Sequence, residues 1–333
     1  MSASIKEYIL GLKLSELDLE LSKAEALSCL NIYFNAKPVS CFNNLCLFKV
    51  KGDLSVLDVC LSRLSFAKEG YLFSDSNEFD DTFLELLSLS GFHWGKDTGF
   101  KVLPLLCKKG EKDELINKVA GEILDKQISG KVSLSNPDFV VCTSSNPKLC
   151  GVFVWSNKDA SRFRKMHLKP APHPSGIDPR LAKAMINLAS AKKEVFDPFC
   201  GAGGILEEVK LMGLEYLGSD ISWKMINLAR INLKSKDGLF RSDALLWDSH
   251  VECVVTDLPY GKNSKLDGSF LDLVDKFFLK YKDLTKKMVV CAPKKYDLEH
   301  YALKHGWSLL FAFDIYVHGS LTRRIHVFEL SVA

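Results

Sequence analysis

The chain has 333 residues, more than one hydrophobic core ordinarily supports, so two or three domains are expected. Its composition, 47% hydrophobic, 26% charged and 11% aromatic, is that of a soluble globular protein, with no internal repeat or low-complexity segment. A net charge of +3 is too small to point to a polyanion partner, so any nucleic-acid contact must come from clustered basic residues.

Residues 5–12, "IKEYILGL", alternate like a strand, and residues 15–31 have the spacing of an amphipathic helix with acids early. "NLCLFKV" (44–50) reads as a second strand, "SVLDVCLSRLSF" (55–66) as a helix and "EGYLF" as extended, which makes a small α+β unit of residues 1–80. A second unit over residues 81–157 has strand "GFKVLPLL", helix "EKDELINKVAGEILDKQI" and paired strands "KVSLSNPDFVVCTSS" and "LCGVFVWS".

Residues 158–172 form a basic, proline-rich linker. In "KDASRFRKMHLKP" Lys158, Arg162, Arg164, Lys165 and Lys169 outnumber one acid, Asp159, and Pro170, Pro172 and Pro174 forbid a regular helix. It reads either as a solvated linker or as a strip facing nucleic-acid phosphates.

Beyond residue 173 strands alternate with helices, the pattern of a doubly wound α/β sheet. The last two strands are joined only by "HGSLT", which predicts an antiparallel hairpin at the sheet edge. Ten cysteines include no C-x-x-C pair, and most lie in apolar runs, so they read as reduced thiols of a cytosolic protein. None of the eight histidines falls in H-x-x-x-H spacing, and no metal is expected. No apolar run approaches the roughly 18 residues of a membrane span, so no membrane association is expected and the location is read as cytoplasmic.

Three strand ends carry the chemistry. "VFDPFCGAGGILEE" puts Asp197 at a strand end, followed by Phe199 and by Gly201, Gly203 and Gly204 before a helix, a turn that lets backbone approach a ligand. The third glycine of the dinucleotide fingerprint is missing, since Leu206 takes its place, which weakens a nicotinamide reading. Asp220, 23 residues after Asp197 and followed by Ile221, can accept from ribose hydroxyls, and Asp243, followed by Ala244, can reach an adenine amino group. Each acid alone also suits a helix cap; together they outline a nucleoside pocket. A fourth strand ends "CVVTDLPYG", with Asp257, Leu258, Pro259 and Tyr260 just beyond an apolar run.

"DPFCGAGGILEE", "GSDIS" and "TDLPYG" resemble the motifs of S-adenosylmethionine-dependent methyltransferases with a D-P-P-Y signature. "HPSGIDPRLAKAMINLA" (173–189) and "VHGSLTRRIHVF" (317–328) narrow the resemblance to the tRNA guanine-N2 methyltransferases that act at position ten. The resemblance implies a ferredoxin-like domain (1–80), a THUMP RNA-binding domain (81–157) and a Rossmann-like methyltransferase domain (173–333). It also implies S-adenosyl-L-methionine as cofactor, tRNA as partner and, as in some relatives, a small helper subunit.

In this reading Asp257 and the Leu258 carbonyl accept the two hydrogens of a guanine amine, and Tyr260 stacks on the base. The product is N2-methylguanosine, or N2,N2-dimethylguanosine after a second transfer. Leu258 stands where the family has proline, which leaves that carbonyl less restricted. Arg323 and Arg324 are expected either to contact RNA phosphate or to pair with acids, and Trp223 either to pack its helix or to stack beside adenine. The alternatives to this function are an adenine-N6 or protein-glutamine methyltransferase, or a non-catalytic RNA-binding assembly factor.

Overall fold

The computed structural model of the protein describes residues 6–74, 98–106, 119, 130–158, 164–173, 176–260, 270–319 and 321–331. The chain divides into two compact units, one of Met1–Lys23, Tyr33–Ser62 and Phe66–Lys158, the other of Ala24–Ile32, Arg63–Ser65 and Asp159–Ala333. The expected helix over residues 111–128 lies, but for Val119, outside the described residues.

The first unit is built on one eight-stranded sheet. Its strands are β1 (Glu7–Leu14), β2 (Asn35–Phe42), β3 (Leu45–Lys51), β4 (Ala67–Phe73), β5 (Thr98–Pro104), β6 (Gly130–Val132), β7 (Phe139–Ser145) and β8 (Lys148–Ser156). They lie in the order β2-β3-β1-β4-β8-β7-β5-β6, antiparallel except where β5 meets β6 and β7. Helices α1 (Leu19–Tyr33) and α2 (Leu57–Ser62) fall between its early strands. Because β4 pairs with β8, the sequence boundary placed at residue 80 falls within a single sheet.

One cysteine expectation is corrected. Cys41 and Cys46 are register partners across the β2–β3 hairpin, 4.1 Å apart at Cα, and form a disulfide. The turn that brings them together is Asn43–Asn44, with Asn43 in the left-handed region at φ 54°. A C-x-x-C search overlooks a cross-strand pair of this kind. The seven other described cysteines are buried and not disulfide-bonded.

The second unit alternates α3 (Pro179–Leu188), β9 (Glu194–Asp197), α4 (Gly204–Leu211), β10 (Glu215–Asp220), α5 (Trp223–Leu233), β11 (Leu239–Arg241), β12 (Val254–Asp257), α6 (Phe270–Tyr281), β13 (Lys287–Pro293) and α7 (Leu298–Lys304). The hairpin strands β14 (Trp307–His318) and β15 (Leu321–Leu330) close it. The sheet order is β11-β10-β9-β12-β13-β15-β14, parallel through β13 and antiparallel beyond. The doubly wound sheet and its edge hairpin are as expected. The hairpin turns back so that β15 is internal and β14 forms the edge.

β12 and β13 are buried on both faces, which is why their sequences run apolar without alternation. Phe196, Phe277, Phe278, Tyr281, Trp307 and Phe328 form the aromatic heart of this core. β11 stops at Arg241, because the Asp243 carboxylate accepts from Leu245 N and starts a short 3₁₀ turn.

Gly218 explains how a helix carrying Leu206 still packs tightly. A Cβ on Gly218 would stand 2.3 Å from Leu206 Cδ1 and 3.2 Å from Cys200 Cβ. The room that the dinucleotide fingerprint makes with a glycine on the helix is made here by a glycine on the adjoining strand. Gly218→Ala is therefore expected to cost about 1–3 kcal/mol by overpacking, read as a lowered urea midpoint. Adding Leu206→Ala should recover part of the loss relative to the sum of the two single changes, since the pair shares one space.

Candidate active site

Parallel strands all finish at one edge of the sheet, so a carboxylate ending each strand brings the acids of β9, β10 and β12 together. Asp197, Asp220 and Asp243 share one local device. Each accepts a hydrogen bond from the backbone amide two residues on: Phe199 N at 3.1 Å, Ser222 N at 2.8 Å and Leu245 N at 2.9 Å. The capping interaction does not exhaust these groups, because a carboxylate has acceptor capacity beyond one amide.

Asp197 is 2% exposed, and its Oδ1 also accepts from Thr256 Oγ1 at 2.6 Å. Burial raises its pKa to about 7 against the pull of those donors, with Asp257 and Asp220 adding repulsion. Asp220 Oδ2 accepts from Gly201 N at 3.1 Å, which ties β10 to the glycine turn, and burial raises its pKa as well.

Gly201 and Gly203 hold left-handed φ values of 51° and 83°. A Cβ on Gly201 would meet nothing within 4 Å, so the turn faces open space, whereas Gly203 lies against Ala229 and Leu233. Gly203 caps α4 without a side chain, which leaves the first-turn amides of Gly204 and its neighbours available to an anionic group. Ile221 is 60% exposed beside Asp220, while Ala244 is buried and its carbonyl accepts from Tyr281 Oη at 3.0 Å. Trp223, half exposed, lies 5.4 Å from the Arg230 guanidinium of its own helix and 5.9 Å from that of Arg241 at the end of β11, two cation–π contacts.

At the end of β12, Asp257 is register partner to Cys291 of β13, and Leu258 N donates to the Cys291 carbonyl at 2.9 Å. A proline at 258 could not make that bond. The Leu258 side chain is 1% exposed within the aromatic core, so packing and a ladder bond restrain the backbone here in place of a ring. Pro259 and Tyr260 follow, both partly buried.

Arg323, from β15, donates through Nε to Tyr260 Oη at 2.6 Å and places Nη2 3.5 Å from Asp257 Oδ2. Among the described residues no nitrogen or oxygen group donates to the buried Asp257 Oδ1; the weakly donating Cys291 thiol is its neighbour. Burial raises the Asp257 pKa to about 6, with Arg323 and then Cys291 opposing it.

Several residues expected to face RNA have acidic partners. Arg324 makes a forked pair with Asp314, at 2.6 and 3.2 Å, the anchoring alternative of the sequence reading. Arg164 makes another with Glu208 of α4, at 2.8 and 2.7 Å, and Lys169 pairs with Glu207 of the same helix. Lys165 is exposed, and Arg162 lies outside the described residues.

The linker is thus strapped to the helix that follows the glycine turn. Asn232 completes the strap: it exchanges hydrogen bonds with the Ala171 backbone at 2.9 and 3.0 Å and donates to the Ala202 carbonyl at 2.9 Å. Sequence reasoning missed Thr256, Gly218, Asn232 and the two glutamates. A buried-face asparagine within the helical stretch "MINLARINLK" was the one available signal for any of these.

The UPF0020 (RMKL-like) methyltransferase domain matches residues 167–323. The chain is 35% identical over 191 residues to the tRNA (guanine(10)-N2)-dimethyltransferase of Methanothermobacter thermautotrophicus, covering 52% of this chain and 55% of that protein. It is 32% identical over 233 residues to the protein of the same name from Methanocaldococcus jannaschii, covering 64% of each. Against the one from Pyrococcus abyssi it is 31% identical over 231 residues, 64% of this chain and 68% of that one. The chain belongs to the tRNA (guanine(10)-N2)-dimethyltransferase family. It spans between about half and two thirds of the length of these relatives.

The domain match contains every strand end described above, from Asp197 to Asp257, and reaches Arg323. Among the described residues no helix is long and apolar enough to cross a membrane, and no group of three or more His, Cys, Asp or Glu side chains could hold a metal ion.

Two consequences follow for stability. Arg164→Ala would remove the forked pair to Glu208, whose side chain is 1% exposed, and should cost about 1.5–3 kcal/mol in urea unfolding. Asp257 has a folded pKa raised from 3.8 to about 6, so below pH 3.8 both states hold its proton; from there to about 6 the folded state binds more, and stability falls. Asp257→Asn removes this dependence. Whatever the constant cost of unpairing Arg323, the variant should gain on the wild type by roughly 1–3 kcal/mol between pH 4 and pH 7.5.

Proposed function

We propose that the chain transfers a methyl group from S-adenosyl-L-methionine to the exocyclic amine of guanosine at position ten of tRNA. It forms N2-methylguanosine and, on a second transfer, N2,N2-dimethylguanosine. The observation that carries this reading is the Asp257 carboxylate at the end of β12: partly buried, with one oxygen lacking a nitrogen or oxygen donor among the described residues, and beside an aromatic ring. A buried acceptor without a donor costs about 1–3 kcal/mol, which a bound amine would offset. Family membership supports the choice of amine.

The residues at the other strand ends fit the cofactor. The uncapped start of α4 and the open face of Gly201 suit its carboxylate, Asp220 the ribose hydroxyls, exposed Ile221 one face of the adenine and Asp243 its amino group. The cofactor supplies an electrophilic methyl on a sulfonium, so the protein needs alignment more than a strong base.

A guanine amine is a poor nucleophile because its lone pair is delocalised into the ring. Asp257 and the Leu258 carbonyl orient it by accepting its two hydrogens, and the Tyr260 ring holds the base plane. As nitrogen gains the methyl and positive charge, the proton it sheds passes to Asp257, whose raised pKa suits a base working near neutrality. An assembly factor without catalysis would have no need of a buried carboxylate in this position. Basic residues elsewhere, with Lys165 exposed, would serve the tRNA backbone.

Tritium transfer from labelled cofactor to unmodified tRNA transcripts tests the reading. Label should enter N2-methylguanosine, vanish when adenosine replaces guanosine at position ten, and fall about 100-fold or more with Asp257→Ala. The base must be ionised, so kcat should rise with pH through about 6 and level off above it. Label in adenosine, or in protein glutamine, would overturn the choice of substrate. Transfer only when a cell extract is added would point to a helper subunit.

A further inference from the structure

Resting on that reading, we propose that Arg323 is a positioning residue for methyl transfer, locking Asp257 and Tyr260 into one arrangement from the neighbouring hairpin strand. A single guanidinium reaches both groups, with Nε at 2.6 Å from Tyr260 Oη and Nη2 at 3.5 Å from Asp257 Oδ2. Its planar fork can serve two acceptors at a fixed angle, which an ammonium cannot.

The side chain is 10% exposed, so this arrangement is not that of a surface cation free to meet phosphate. Its backbone is fixed on both sides, opposite Pro293 of β13 and Ile315 of β14. Strand alternation then gives the two adjacent arginines different tasks: Arg324 projects to the other face and pairs with half-exposed Asp314, while Arg323 projects into the pocket.

Among the described residues, the groups facing Asp257 are Asp197 from β9, Cys291 from β13, Tyr260 from its own loop and Arg323 from β15. Arg323 is the cation among them. Without it the buried carboxylate would ionise only at higher pH, and the Tyr260 ring would lose the donor that orients its hydroxyl.

The test uses the full chain with Arg323→Gln and Arg323→Lys. Affinity for S-adenosylmethionine, measured by calorimetry, should stay within about twofold of wild type, since no cofactor contact is removed. In Arg323→Gln, kcat should fall about 10- to 100-fold with little change in KM for tRNA, and the acid limb of the pH profile should move upward. Arg323→Lys should restore the limb but not the full kcat. If Arg323→Gln loses cofactor binding through misfolding, Arg323→Lys carries the test through its kcat deficit.

A wild-type kcat and an unmoved limb would overturn the proposal. So would a raised KM at unchanged kcat, which would make Arg323 an RNA contact. Should the wild type bind cofactor yet transfer nothing to guanosine, the substrate reading fails separately. The carboxyl-carbon NMR titration of Asp257 then decides the role of Arg323: an upward shift in Arg323→Gln upholds the lock, and no shift overturns it.

Discussion

Everything at this site depends on keeping carboxylates buried at the ends of adjacent parallel strands. The sheet geometry forces Asp197, Asp220 and Asp257 toward one crevice, where desolvation raises each pKa and, at Asp197, repulsion by Asp257 and Asp220 adds to it. The surrounding structure limits that cost by supplying a donor for each: the Thr256 hydroxyl and Phe199 amide, the Gly201 and Ser222 amides, and the Arg323 guanidinium. Among the described residues Asp257 retains an oxygen outside that network, the one to which the proposed amine would donate.

The same donors couple distant pieces of chain. Asp220 joins the glycine turn to β10, Thr256 joins β12 to β9, and Arg323 joins the edge hairpin to the loop after β12. The linker takes part through Arg164, Lys169 and Ala171, bound to α4 and α5. Basic residues that read as a nucleic-acid strip thus also act as a strap behind the glycine turn.

Leu258 shows how one mechanical requirement can be met in two ways. Proline restrains backbone by its ring and gives up its amide; leucine keeps the amide, which bonds to the Cys291 carbonyl, and buries a side chain in the aromatic core. Gly218 and Leu206 make the same point for helix–strand packing, where the space matters and either element can provide it.

The sequence by itself determined the alternation of strands and helices beyond residue 173, the glycine turn, three aspartates at strand ends and Asp243 just past a fourth strand. Each of these is written in local patterns: apolar runs, acids at fixed offsets, glycines before a helix. The family resemblance carried by "DPFCGAGG" and "TDLPYG" was legible for the same reason. Only the tertiary structure decided which arginine faces the pocket, because Arg323 lies 63 residues from Tyr260 and its direction depends on strand register. It likewise decided the Cys41–Cys46 bridge, the partners of Arg164 and Lys169, and the compensation between Gly218 and Leu206. Charge pairing and close approach depend on distances across the fold, and a one-dimensional pattern does not encode them.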